Sequence, residues 1–133
     1  MTTVLRIVAA LILDERGRAL MVRKTGTTAF MQPGGKIEPL EEPDAALARE
    51  LHEELGLVLL PEQLTLVGRF SAAAANEADT EVDALIYDAP LLGLPVVAAE
   101  IAELAWVDPG APGELDLAPL SRDILLPLLL GRR

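Results

Sequence analysis

The sequence contains no cysteine in 133 residues. That excludes disulfides, thiolate metal sites and cysteine nucleophiles together, and makes a reducing cytoplasm the simplest setting. Aromatic residues are scarce, at 3%, so Leu, Val and Ala must fill the interior. Positive charge is also in short supply: 11 Lys and Arg face 21 Asp and Glu, for a formal charge of −10. A field of that sign repels polyanions over roughly a Debye length of 8–10 Å, which argues against polymeric nucleic acid as a partner. No hydrophobic run is long enough to span a bilayer, since Ile124 to Leu130 is short and holds Pro127, and no membrane association is expected. Val4 to Leu13 could pass for a signal peptide's apolar region, but Arg6 interrupts it and Asp14-Glu15-Arg16-Gly17 follows instead of small residues, so secretion is not expected. The one histidine, His52, offers little on which to build a Ser/His/Asp hydrolase.

What is present describes an ordinary folded chain, 51% hydrophobic and 24% charged, of a length that fits one domain over residues 1–133. Residues 3 to 13 are aliphatic and end at a Gly-containing turn, and 18 to 24 resume in the same style, which predicts a β-hairpin. Phe30 to Gln32 is a short extended piece, and Pro33-Gly34-Gly35 predicts a tight, irregular backbone. A helix is expected from about Pro43 to Leu55, with Pro43 at its first position, Asp44 near its positive end and Gly56 as its stop. Leu64 to Ala73, Glu81 to Asp88 and Leu104 to Val107 read as strands. A final helix is expected over Pro119 to Leu130, with Leu120, Ile124 and Leu128 on its buried stripe. Strands before and after a central helix, with a second helix at the end, predict a mixed sheet covered on both faces, an α/β/α sandwich.

The first helix has a distinctive charge pattern. At 100° per residue from Glu50, Glu53 lies at about −60° and Glu54 at about +40°, while Ala48, Leu51 and Leu55 gather on the opposite side. Like charges so spaced destabilise a helix by roughly 0.2–0.5 kcal/mol per pair, and the nearby cation on the helix is Arg49. Hard divalent cations such as Mg²⁺ are bound by oxygen ligands, through one or two carboxylates with waters and phosphates, and would offset that repulsion. A solvated acidic face is the plain alternative for three glutamates taken alone.

The surrounding frame decides between them. Gly35, Glu41 after five residues, and Arg49-Glu50-Leu51-His52-Glu53-Glu54-Leu55-Gly56-Leu57 after seven more resemble the Nudix box, G-x5-E-x7-R-E-U-x-E-E-x-G-U with U aliphatic, at every specified position. Pro33-Gly34-Gly35-Lys36-Ile37-Glu38 ahead of it is similar to the MutT-type members. Leu40 departs from the many relatives that carry glycine just before the first box glutamate, which could redirect the loop but touches no chemical group.

That resemblance implies a Nudix-type α/β/α sandwich and a pyrophosphohydrolase dependent on Mg²⁺, with Mn²⁺ as a substitute. It implies Glu50 and Glu54 as direct metal ligands, Glu53 as a direct or water-mediated ligand, and the Gly34 carbonyl as another. Glu50 or Glu53 serves as base, or an acid outside the box. Glu100, six residues before Trp106, is the preferred outside acid, in competition with Glu77, Asp79 and Glu103. Arg49 is expected to pair with the box acids, through its i, i+4 relation to Glu53, and Glu41 to fix the loop. Gly34 and Gly35 would let the backbone approach the ions. Lys36, and Arg23 or Lys24, are candidates for phosphate contacts, and Phe30 for stacking on a base, against the alternatives of solvated surface charge and core packing. Trp106 reads as core and His52 as a solvated helix residue. The expected substrate is a small nucleotide-like diphosphate, with nucleoside triphosphates leading and a monophosphate plus pyrophosphate as products. The assembly is left open, with a homodimer allowed. The rival reading is a Nudix-fold module that binds nucleotide without turnover. An isoprenoid-diphosphate isomerase shares the fold but relies on cysteine chemistry.

Overall fold

Two consecutive apolar strands have no polar face, and the reason lies in where they sit. A computed structural model describes residues 1–133. In strand β1 (Thr3–Leu11), and in Ile12 just after it, successive side chains point to opposite sides. Val8, Ala10 and Ile12 enter one core cluster, while Ala9 and Leu11 enter the other. Strand β2 (Ala19–Lys24) repeats the arrangement, with Leu20 and Val22 on one side and Ala19 and Met21 on the other. From Val8 to Ile12 and from Ala19 to Val22 the chain is therefore buried on two faces, which is what a continuous aliphatic run encodes.

The remaining strands are β3 (Phe30–Met31), β4 (Gly34–Lys36), β5 (Thr65–Ala73), β6 (Thr80–Asp88) and β7 (Ile101–Val107). They form two sheets, ordered β4-β1-β6-β5 and β3-β2-β7. β1 and β6 run parallel and the other pairs antiparallel, so the central sheet is mixed, as expected. Helix α1 (Pro43–Leu55) contributes Ala46, Leu47, Leu51 and Leu55 to the first core. The C-terminal helix closes the second with Leu125, Leu126 and Leu129.

The expected hairpin is corrected. β1 and β2 belong to different sheets and touch only beside their turn, through the Leu13–Ala19 bridge and a 2.9 Å bond from Leu20 N to Ile12 O. Each strand then finds better partners elsewhere, β1 in β6 along its whole length and β2 in β7. The turn chemistry at Asp14 to Arg18 was legible in the sequence; the divergence beyond it depends on residues far along the chain. Pro33 to Gly35, expected to be irregular, turns directly into β4, which pairs with β1.

The last helix also differs. It opens with a π-helical turn at Ser121–Leu125 before an α-helical stretch at Leu126–Gly131, here called α2. Leu126 N–H reaches back to Ser121 O, and Pro127 has no N–H to continue a regular ladder, so the turn widens. The widening rotates the face: Leu125, Leu126 and Leu129 are buried and Ile124 and Leu128 only partly so. Leu120 is buried as expected. No helix is long and apolar enough to cross a membrane.

Candidate active site

α1 begins at Pro43 without a side-chain cap and stops at Gly56, whose left-handed φ of 68° lets its N–H return to His52 O. Between those ends, the face turned from the core looks onto β4. The contact there is intimate. A Cβ placed on Gly35 would lie 2.5 Å from Glu50 Cδ, and one on Gly34 would overlap the Val8 carbonyl. Glycine is therefore a packing requirement at Gly34, and at Gly35 it allows a carboxylate to rest directly against backbone.

Glu54 is buried, at 6% exposure. It accepts a 3.1 Å hydrogen bond from Gly34 N–H and makes no ion pair. Burial, reinforced by the neighbouring Glu50 charge, pushes its carboxyl up to about 7, because both effects disfavour the ionised form. Burial raises Glu50 as well, in spite of Arg49.

Arg49 is the organiser of this face. Its Nε and Nη2 each donate at 2.8 Å to the two oxygens of Glu41, while Nη1 donates to Glu50 at 2.9 Å and Nη2 to the Lys36 carbonyl at 3.3 Å. The expected partner Glu53 is a weak one, at 3.5 Å and with a half-exposed side chain. The strong partner lies outside the helix, because Glu41 matches the planar fork of a guanidinium and Glu53 does not. These bonds, with one from Glu38 N–H, hold Glu41 down to about 2.

Glu100 reaches the site from the far side. The segment before it docks on the end of α1, with Val96 N donating to Leu55 O and Ala98 N to Glu54 O, and Glu100 O accepts from Thr25 N. Its charge acts on Glu54. No three acidic side chains close around one point. The donor set is entirely of hard oxygens, two of them one helical turn apart against a glycine cradle, and so fits a divalent cation that keeps part of its water.

The structure also sorts the cations and the aromatic. Lys24, Lys36 and Glu77 line one cleft with Gly34 and Gly35. Arg23 is turned elsewhere, its guanidinium held by Glu103 at 2.8 Å and the Thr27 carbonyl at 2.7 Å. Of the pair it is Lys24 that lines the cleft, after a shift of register between the two residues. Phe30 is buried in the second core and cannot stack on a ligand, a correction of the base-contact expectation. Trp106 packs against the first core and His52 is exposed. Sequence reasoning passed over Gln32 and Ser121, both buried beside the cleft; a polar residue ending an apolar strand was the available signal.

A cation-compatible acidic helix over a diglycine strand, in a two-faced mixed sheet, defines a class, and the family model for the NUDIX domain matches residues 4–128. The chain belongs to the Nudix family, whose hydrolases act on phosphorus anhydrides of small nucleotide-like compounds and generally use divalent metals. A MutT-like protein of Streptomyces ambofaciens is 28% identical over 108 residues, covering 80% of this chain and 66% of that protein. An RNA pyrophosphohydrolase of Marinomonas sp. (strain MWYL1) is 40% identical over 62 residues, covering 47% and 37% respectively. The chain thus spans less than two thirds of these relatives' lengths. The MutT protein from Methanosarcina mazei Go1 shares the fold, with a TM-score of 0.77 at 21% identity, over 98% of this chain and 96% of that one.

Proposed function

We propose that residues 1–133 act as one hydrolase domain that splits the diphosphate linkage of a nucleoside triphosphate in the reducing cytoplasm, yielding a monophosphate and pyrophosphate. The observation that carries this reading is the buried, unpaired Glu54 one turn from Glu50, both set against the Gly34-Gly35 backbone. Two carboxylates so placed repel one another and need an external cation to be ionised together. Glu50, Glu54 and the Gly34 carbonyl would hold Mg²⁺, with Glu53 and Glu100 at the margin; Mn²⁺ suits the same donors. The chemistry such a cation supplies when bound is neutralisation of phosphoryl charge and a lowered pKa for water.

The protein's own groups supply the rest. Arg49 fixes Glu50 and Glu41 in place, so the acidic face is set before substrate arrives. Glu53, half exposed and only loosely held, is free to accept a proton, and is favoured here as the base over Glu50. Lys36 and Lys24 flank the cleft and draw in phosphates. A relative acts, by its name, on RNA. The −10 charge of this chain favours a small substrate over a long polyanion.

The test is a panel of nucleoside triphosphates, nucleoside diphosphate conjugates and 5′-triphosphorylated RNA, with Mg²⁺, Mn²⁺ or chelator, and products resolved by chromatography. Metal-dependent release of pyrophosphate from triphosphates is expected, with Glu53→Gln lowering kcat by about 10²–10⁴ while the fold persists. Nucleotide binding without turnover under any metal would instead identify a sensing module, and preferred cleavage of RNA would overturn the small-substrate reading.

A further inference from the structure

Two stretches of the chain carry neither a charge nor a hydrogen-bonding side chain. One is residues 55–61, which end helix α1 and lead toward β5; the other is residues 89–99, between β6 and β7. In a protein of formal charge −10, these are the places where the repulsive field has no local source. The fold lays them side by side. Val96 N–H donates to the Leu55 carbonyl at 3.0 Å and Ala98 N–H to that of Glu54 at 2.9 Å, while Ala89, Pro90 and Leu91 line one shallow hollow with Gln63 and Thr65.

The two segments cannot bury all of their own apolar surface. Pro90, Gly93 and Pro95 keep residues 89–99 out of a strand ladder, and a thin extended segment can turn only part of its side chains inward. Leu57, Leu59 and Leu91 reach the first core. Their neighbours face solvent: Leu94 is 84% exposed and Val58 72%, with Leu60, Leu92 and Val96 also in the open. Large aliphatic side chains exposed singly are ordinary. Gathered on two adjoining segments with no charge among them, they form the kind of patch that makes the centre of a protein interface.

We propose that this patch is a dimer interface, in which residues 58–60 and 92–97 of one copy pack against the same residues of a second copy across a two-fold axis. An isologous contact needs a surface that complements itself, and aliphatic against aliphatic does so with no charge left to pair. Two protomers that repel one another over the rest of their surfaces meet where neither brings an acid into the contact. A bilayer is the poorer match, because neither segment holds a Lys or Arg to draw it toward anionic headgroups. Residues 96 and 98 bond to the last turn of α1, so the second copy seats on the segment that finishes the helix bearing Glu50, Glu53 and Glu54. The inference is independent of what the chain hydrolyses.

Sedimentation equilibrium of the whole chain across a range of concentrations tests it. Wild type is expected to dimerise reversibly with a Kd between about 1 µM and 1 mM, and more tightly as NaCl is raised toward about 0.5 M, since salt screens the repulsion and leaves the apolar contact in place. Leu94→Glu and Val58→Glu, both at exposed positions, should each weaken association about tenfold or more; Leu40→Glu, equally exposed but outside the patch, should not. On dilution of the wild type, the backbone amide resonances of residues 58–60 and 92–97 should move together, a reading that needs no variant to fold. A wild type that stays monomeric to about 1 mM, a dimer indifferent to both patch variants, a dimer that salt dissociates, or amide shifts confined to other residues would each overturn the proposal. A monomer that instead cosediments with phosphatidylcholine vesicles would assign the patch to a lipid surface and overturn it as well.

Discussion

Gly35 is where the smallest change should have the largest chemical effect. A methyl group there would stand 2.5–2.8 Å from all three carboxyl atoms of Glu50, so the carboxylate must swing away and give up its 2.9 Å bond from Arg49. Gly35→Ala is expected to lower metal-dependent kcat on the order of a hundredfold, the usual cost of misplacing a reacting group by about an ångström. The melting temperature should barely move. A variant with wild-type turnover would show that Glu50 has no required position. Leu40 offers the opposite case. It sits fully exposed with φ of 64°, a left-handed conformation that costs a branched side chain about 1–2 kcal/mol. The loop has therefore kept a glycine-like path with a residue ill suited to it. Leu40→Gly should stabilise the fold by about 0.5–1 kcal/mol after the entropy lost to a freer unfolded chain, seen as a higher denaturant midpoint at unchanged kcat.

At the level of elements, the loop from Lys36 to Glu42 and helix α1 behave as one unit because Arg49 ties them. Glu41 is held at about 2 by that arginine. A carboxyl depressed on folding contributes stability above its ordinary value of 4.5, and the contribution is lost as pH falls through about 2. Wild type and Glu41→Gln should accordingly differ in melting temperature from pH 5 upward and converge toward pH 2; a difference that persists in acid would rule out the ion pair as its source. α1 was fully legible, since its proline start, glycine stop and apolar stripe are local signals. The carboxylates it carries were legible for the same reason. The pairing of Arg49 with the box acids was legible, but its strongest partner was not, because helical spacing shows only neighbours on the helix such as Glu53 and Glu41 arrives from a loop. The separation of β1 from β2 was hidden likewise, being decided by residues distant in sequence, whereas core packing was already the stronger alternative for Phe30 and the π-helical turn at Ser121 has a nearby cause in Pro127. Gln32 and Ser121 stand 89 positions apart, and no periodicity connects them.

Across the whole molecule, the two cores hold the sheet from both sides, and one ionisable carboxyl, that of Glu54, is buried at the seam between α1 and β4 without a cation beside it. Its raised value, about 7 against 4.5, makes the fold sensitive to pH in a definite direction. A carboxyl elevated on folding stabilises the native state fully below its ordinary value, and that stability is lost as pH rises through about 7, since the folded protein must then carry the buried charge. The size is roughly 3 kcal/mol at most. Metal-free wild type should therefore lose stability between pH 5 and 8, while Glu54→Gln, which can still accept from Gly34 N–H, stays level and melts higher at pH 8. Mg²⁺ should reverse the order: it binds the ionised form and raises the melting temperature of the wild type at pH 8 by mass action, with a much smaller effect on Glu54→Gln. If the metal-free wild type held steady from pH 5 to 8, or if Mg²⁺ stabilised both proteins equally, the burial of an unpaired charge would have no part in readying this site for its ion.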